Sequence, residues 1–297
     1  MTKKEEDELK LIKAAIKKFP QVIANKRKAH KAKAKIIAAF MPMDREPLEQ
    51  DGRKKTLITS KRTMKPKSDS RPIHPWRRCP YGQHWVIEHP KTVTPSDEHP
   101  DGKTDVVGHC AWNPSHKDEL YPKEISEITE HFKNLEDTPS PNSLGFKNGT
   151  LYDPLIAGWT QYWNDILKPD SPLDPNVVKA LIASESSFIP SKIIPAGKGN
   201  WARGLMQVID QSRQILEDQD GEIQDHFIHL TEAEALDPTL NICAGVRWLF
   251  QKRKLAEAHY GEEVDWDKVI YFYKAAQKNP GVMKKYRSFY KRLLKGS

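Results

Sequence analysis

Residues 174–190 read DPNVVKALIASESSFIP, and after a Gly-bearing loop residues 202–208 read ARGLMQV. Asp174 followed by Pro175 predicts a helix start, because the aspartate side chain accepts an orphaned backbone N–H and proline has none to satisfy. Val178, Leu181, Ile182 and Glu185 then fall at i, i+3, i+4 and i+7. One carboxyl therefore shares the apolar face near the helix's C-terminal end. Desolvation disfavours a charged carboxylate, so a glutamate placed there tends to keep a proton, as a general acid must. The competing reading is a rim residue paired with a lysine or arginine.

Working outward, 297 residues suffice for two domains or for one domain with extensions. A hydrophobic fraction of 37% with 30% charged residues fits a water-soluble chain. No uninterrupted apolar run reaches the ~18 residues of a membrane span. The opening MTKKEEDELKLIKAAIKKF is charged throughout, which predicts that it is not a Sec signal peptide. Residues 1–70 hold 20 Lys or Arg against 9 Asp or Glu, so they carry +11 of a total of +8 and the remainder carries −3. Leu9, Ile12, Ile16 and Phe19, then NKRKAHKAKAKIIAAF after Pro20, predict two basic amphipathic helices. Such an arm could lie on an anionic membrane, grip teichoic or nucleic phosphates, dock on a partner protein, or be a solvated packing element. Residues 41–72 read as linker.

Between Ile73 and Pro122 the pattern changes. QHWVIEH (83–89) and KTDVVGHCAW (103–112) predict a long-looped β-hairpin. Six of the eleven histidines fall in this stretch. Cys79, His84, His109 and Cys110 are candidate zinc ligands, although their spacing fits no finger template. A Cys79–Cys110 disulfide and ordinary structural residues are the other two readings. Three cysteines are too few for a disulfide framework, and they leave the redox compartment undecided.

Further helices are predicted from Pro122 through Ile125, Ile128 and Phe132, and from Asp153 with Ile156, Trp159, Trp163 and Ile166 along one side. The tryptophans read as core, with sugar stacking as the alternative. NICAGVRWLF from Asn241 is a packing helix in which Cys243 acts as a small hydrophobe. Trp266, Val269, Ile270 and Tyr273 repeat the helical spacing, so Tyr273 faces inward. A basic closing helix buries Val282, Tyr286, Phe289 and Leu293.

Glu185-Ser186-Ser187-Phe188, Gly204-Leu205-Met206-Gln207, Asp237-Pro238 leading into Asn241-Ile242 and Gly245, and finally Tyr273 together resemble the catalytic domain of the soluble lytic transglycosylase family, over about residues 150–295. The resemblance implies a goose-lysozyme-like helical fold and cleavage of the β-1,4 bond between N-acetylmuramic acid (MurNAc) and N-acetylglucosamine (GlcNAc) in peptidoglycan. It also implies a single catalytic glutamate, here Glu185. That residue acts first as acid on the bridging oxygen and then as base on the muramic acid C6 hydroxyl, giving a 1,6-anhydro product without water or cofactor. Ser186, Gly204, Met206, Gln207 and Tyr273 correspond to residues that bind substrate or hold the glutamate. In the family an asparagine follows the tyrosine, whereas this chain has Lys274. The lysine is expected to point to solvent, the alternative being a pairing with the glutamate.

The expected fold is therefore mainly α: a lysozyme-like catalytic domain over 123–297, a small β-rich module over 73–122, and a basic helical arm with linker over 1–72. The expected partner is the peptidoglycan glycan strand, with nucleic acid disfavoured. Without a Sec signal such an enzyme would reach the wall by a non-classical route, as a secreted antibacterial effector or in a phage or conjugation apparatus, with the arm as docking element. A hydrolytic muramidase of the same fold and a non-catalytic wall- or nucleic-acid-binding protein are the competing functions.

Overall fold

The computed structural model describes residues 71–295 except 136, 198, 277 and 278. The arm and linker expected over 1–72 lie, all but the last two residues, outside the described residues. As expected, the fold is mainly α, with small sheets ahead of and within the helical part.

The two β-rich runs do pair. β1 (Gln83–Val86) lies antiparallel to β4 (His109–Trp112), and β2 (His89–Thr92) to β3 (Lys103–Val106). The loop between β2 and β3 is closed by the Val93 N–H donating to the Gly102 carbonyl at 2.9 Å. Cys79 and Cys110 form a disulfide that ties the segment ahead of β1 to β4.

This region is joined to the helices through buried charge. β5 (Glu119–Leu120) runs parallel to β9 (Phe227–Ile228), over a hundred residues further along the chain. Arg77 is buried and donates to both oxygens of Asp118 at 3.0 and 3.2 Å, and to Glu124 at 3.3 Å. Asp118 also takes a hydrogen bond from His226 at 2.9 Å. Burial alone would raise the Asp118 carboxyl, but the charges of Arg77 and His226 outweigh it and hold it below its ordinary value.

α1 (Pro122–Thr129) and α2 (Asp153–Leu167) follow. Trp159 and Trp163 are fully buried on α2, and their indole N–H groups donate to the Thr239 hydroxyl at 2.8 Å and the Cys243 carbonyl at 3.1 Å. They belong to the core rather than to a sugar-stacking surface.

α3 (Pro175–Glu185) starts where Asp174 accepts the Asn176 N–H at 2.7 Å. It is buried from Val177 to Ala183 and packs against α2 and against α7 (Met283–Leu294). A helix apolar on every side belongs inside. Each aliphatic side chain it buries contributes about 1.5–3 kcal/mol. Even Lys179 is enclosed, paired with Asp153 at 2.8 Å and the Ser140 carbonyl at 2.6 Å.

What reads in sequence as a loop after α3 is a three-stranded antiparallel sheet of β6 (Ile193–Gly197), β7 (Asn200–Arg203) and β8 (Val208–Ile209). α4 (Asp210–Glu217), α5 (Pro238–Tyr260) and α6 (Trp266–Tyr273) complete the elements. α5 begins at Pro238, capped by Asp237, which accepts the N–H groups of Thr239 at 2.9 Å and Leu240 at 3.1 Å.

Candidate active site

The C-terminal end of α3 is partly exposed, and Glu185 is its last residue. The side chain is 18% exposed. Beyond it Ser187 and Phe188 both take left-handed backbone angles, φ 57° and 62°. Such angles are unfavourable for a bulky residue and persist only where packing imposes them. Here the Phe188 ring is fully buried against Phe146, with centroids 5.6 Å apart. The helix end is thus held sharply, and Lys192 donates its ammonium to the Glu185 carbonyl at 2.6 Å, satisfying one of the orphaned acceptors there.

The second component is the turn at Gly204–Gln207. Gly204 has φ +74°, and a Cβ on it would lie 2.4 Å from the Asn241 amide nitrogen and 2.6 Å from the Ala235 carbonyl oxygen, so no larger residue fits. Asn241 is fully buried at the start of α5 and knots the turn together. Its Oδ1 accepts the Met206 N–H at 2.8 Å, and its Nδ2 donates to the carbonyls of Arg203 at 2.9 Å and Ala235 at 2.7 Å. In sequence Asn241 opens the packing run NICAGVRWLF; the structure adds its role in shaping the turn, which in sequence shows solely as its place in the quoted motif.

Gln207, also left-handed at φ 54°, donates to the Gly204 carbonyl at 2.8 Å and the Lys192 carbonyl at 3.1 Å. Its Oε1 is buried without a hydrogen-bond partner among the described residues. Gln207 and Tyr273 share a groove with Val208, Ile209 and Trp248. Glu185 does not line that groove.

Two of the residues expected to touch substrate do not face a cleft. The Met206 side chain is fully buried on α5, where Gly245 leaves space for it: a Cβ there would sit 2.4 Å from the Met206 sulfur. Ser186 is fully buried with its hydroxyl donating to the Ile182 carbonyl at 3.1 Å. Both support the site from beneath.

The C-terminal end of α6 supplies the third component. The Tyr273 hydroxyl donates to the Met206 carbonyl at 2.7 Å. Burial, and then the nearby charge of Glu185, push the Tyr273 hydroxyl well above its ordinary value, so it stays protonated. The next residue, Lys274, does not point to solvent as expected. Its ammonium donates to Glu185 Oε1 and, at 3.2 Å, to the Ser184 hydroxyl, and its side chain is only 8% exposed. Ending α6 at Tyr273 turns Lys274 back over the end of α3, which the heptad-like spacing of the sequence does not reveal.

The neighbouring carboxylates have other work. Asp174 and Asp237 cap helices, and Asp210 accepts from Arg203 at 2.9 Å and from the Trp201 N–H at 3.0 Å. Trp201 on β7 is 44% exposed, beside exposed Ile193 and Ile194 on β6. This apolar rim lies on a stretch whose sequence reads as a loop, so nothing in the sequence marks it.

The four candidate metal ligands are employed elsewhere. Cys79 and Cys110 are bonded to each other, His84 shares a hydrogen bond with Asn113 at 2.8 Å, and His109 with the Val107 carbonyl at 2.9 Å. Of the three readings of this cluster, the disulfide is the one realised. Cys243 is a buried free thiol whose pKa burial raises well above its ordinary value, which suits a small hydrophobe.

Neither a curated protein nor a solved structure matches the chain. A family model does, that of the transglycosylase SLT domain, and the residues it covers, 166–292, include the end of α3, the Gly204–Gln207 turn, Asn241 and the end of α6. The part of the chain built around Glu185 is thus the part that matches the transglycosylase SLT domain.

Proposed function

We propose that the protein is a peptidoglycan lytic transglycosylase that cleaves the MurNAc-β-1,4-GlcNAc bond and leaves a 1,6-anhydroMurNAc end. The SLT domain points to lytic transglycosylase activity on peptidoglycan in general. The finer reading is carried by one observation: Glu185 is a partly exposed carboxyl at the end of a largely buried helix, and the aspartates Asp174, Asp210 and Asp237 are engaged elsewhere.

A glycosidase that uses water pairs its acid with a second carboxylate. A single acid suits a reaction in which the sugar supplies its own nucleophile. Glu185 gives a proton to the bridging oxygen as the C1–O bond breaks. It then takes one from the C6 hydroxyl as that oxygen attacks C1. Gln207 and the rigid Gly204 turn hold the saccharide beside the acid, while Tyr273, Asn241, Ser186 and Met206 hold the turn and the helix end. The Cys79–Cys110 disulfide suits action in an oxidising compartment, outside the cytoplasm, where peptidoglycan lies. Among the described residues no helix is long and apolar enough to cross a membrane.

Purified peptidoglycan digested with the full chain should release fragments one water lighter than those made by a hydrolase, read by mass spectrometry. Glu185→Gln should slow release by about 10²–10⁴-fold, the usual contribution of a positioned general acid. Fragments with ordinary reducing ends would instead make the enzyme a muramidase.

A further inference from the structure

Two cations reach Glu185, and they take different atoms. Lys192 is committed to the backbone carbonyl at 2.6 Å. Lys274 meets the carboxylate itself, at Oε1, with the Ser184 hydroxyl as its second acceptor at 3.2 Å. The lysine is not a stray surface group. Its backbone N–H donates to the Ile270 carbonyl at 2.9 Å, and its neighbour Tyr273 is pinned to the Met206 carbonyl at 2.7 Å. With side-chain exposures of 8% and 18%, Lys274 and Glu185 form a pair already largely withdrawn from water.

Glu185 Oε1 is occupied by the Lys274 ammonium, whereas a general acid has to hand over a proton. The nearest proton is on the lysine. We propose that Lys274 is the proton store for Glu185: when a glycan strand covers the pair, the proton crosses from Lys274 Nζ to Glu185 Oε1 and arms the acid. The inference rests on the reading of Glu185 as the acid–base residue.

The physical drive is desolvation. An ion pair stripped of water loses the hydration of both charges, and a neutral acid beside a neutral amine becomes the cheaper arrangement when Coulomb attraction does not make up the difference. An N–H bond breaks and an O–H bond forms, with no change in net charge and no outside reactant. Glu185 passes the proton to the bridging oxygen, receives the proton of the C6 hydroxyl, and returns it to the amine. Among the described residues the other groups near the pair are Tyr273, protonated and donating to Met206, and Lys192, held by the Glu185 carbonyl. Lys274 acts through Glu185 and is a positioning residue in that sense.

Lys274→Arg and Lys274→Met separate a proton store from a mere tether, with solubilisation of purified peptidoglycan by the full chain followed from acid to mildly alkaline pH. Arginine keeps the charge and the hydrogen bond but does not surrender a proton. Lys274→Arg should therefore lose at least about 10-fold in kcat at neutral pH, with KM little changed, as expected for a lost proton-transfer contribution. Lys274→Met should work only on the acid side, its alkaline limb displaced toward acid by more than about one pH unit, because a carboxylic acid gives up its proton far sooner than an ammonium. An arginine variant with wild-type kcat and an unmoved alkaline limb overturns the proposal, and it decides the matter even if the methionine variant does not fold. A wild type that releases no glycan under any of these conditions sinks the reading of Glu185 and the proposal together. An active wild type with indifferent Lys274 variants sinks the proposal alone.

Discussion

The stretch from Arg71 to Leu120 and the helical part that follows bury opposite kinds of residue. Ahead of α1 the buried hydrophobic side chains are Cys79 and Leu120, while His74, Arg77, Gln83, Asn113, Asp118 and Glu119 are buried polar or charged groups. In the helical part α3 alone encloses Val177, Val178, Ala180, Leu181, Ile182 and Ala183. One region leans on a disulfide and directed ion pairs; the other excludes water by bulk. The difference teaches that the strand-bearing stretch has no apolar core sufficient for itself and is a polar graft onto the helices, through Arg77, Asp118, His226 and the short β5–β9 ladder.

That contrast should be breakable by pH and by redox in one region and not in the other. The largest effect is expected from Asp118→Asn, which leaves Arg77 buried without its main counter-charge and should cost about 3–5 kcal/mol, read from urea unfolding. Acid should mimic the substitution. Because Asp118 is lowered in the folded state, its contribution is complete above the unfolded carboxyl value and is lost as pH falls through the folded one, so the wild type should weaken below about pH 4. A variant whose stability and acid sensitivity both match wild type would show that the graft does not depend on this pair.

Next comes the Cys79–Cys110 bond, which spans 31 residues. Cys110→Ser should cost about 2–5 kcal/mol, the usual loss for a native disulfide in a small unit. Hydrogen exchange should quicken in β1 and β4 and leave α3 and α5 protected. Exchange that rises equally in α3 would mean the two regions share one cooperative core.

The smallest effect sharpens the comparison from the other side, since the helical part buries polar groups of its own, Lys179 and Asn241 among them. Asn241→Ala removes three buried hydrogen bonds around the Gly204 turn and should cost about 1–3 kcal/mol. Its effect on peptidoglycan release should exceed its effect on unfolding, because the Met206 carbonyl of the turn holds Tyr273, which feels the charge of Glu185. Equal losses would reduce Asn241 to a packing residue.

Much of this was legible in the sequence for physical reasons. Apolar spacing and the Asp174-Pro175 cap are local, so α2, α3 and α6 could be read directly, and the β-rich runs on either side of Pro95 and Pro100 announced the hairpin. The candidate site was legible only as far as motif residues carried it. Asn241 and Lys274 act across the fold, on residues 35 and 89 positions away, and no local pattern encodes a direction at that range. The two-residue ladder of β5 with β9 is too short to leave a periodic trace. The sheet β6–β7–β8 was hidden by its glycines, Gly197, Gly199 and Gly204, which read as loop.

The β5–β9 ladder sets an order of events on a growing polypeptide. Glu119 and Leu120 find their strand partners only at Phe227 and Ile228, and Asp118 finds its histidine at residue 226. Local hairpins close early, while contacts this remote wait on loop closure over the whole intervening length. The first-made stretch of the described molecule is therefore among the last to be sealed, and until residues 226–228 have emerged Asp118 lacks its histidine and β5 its partner strand.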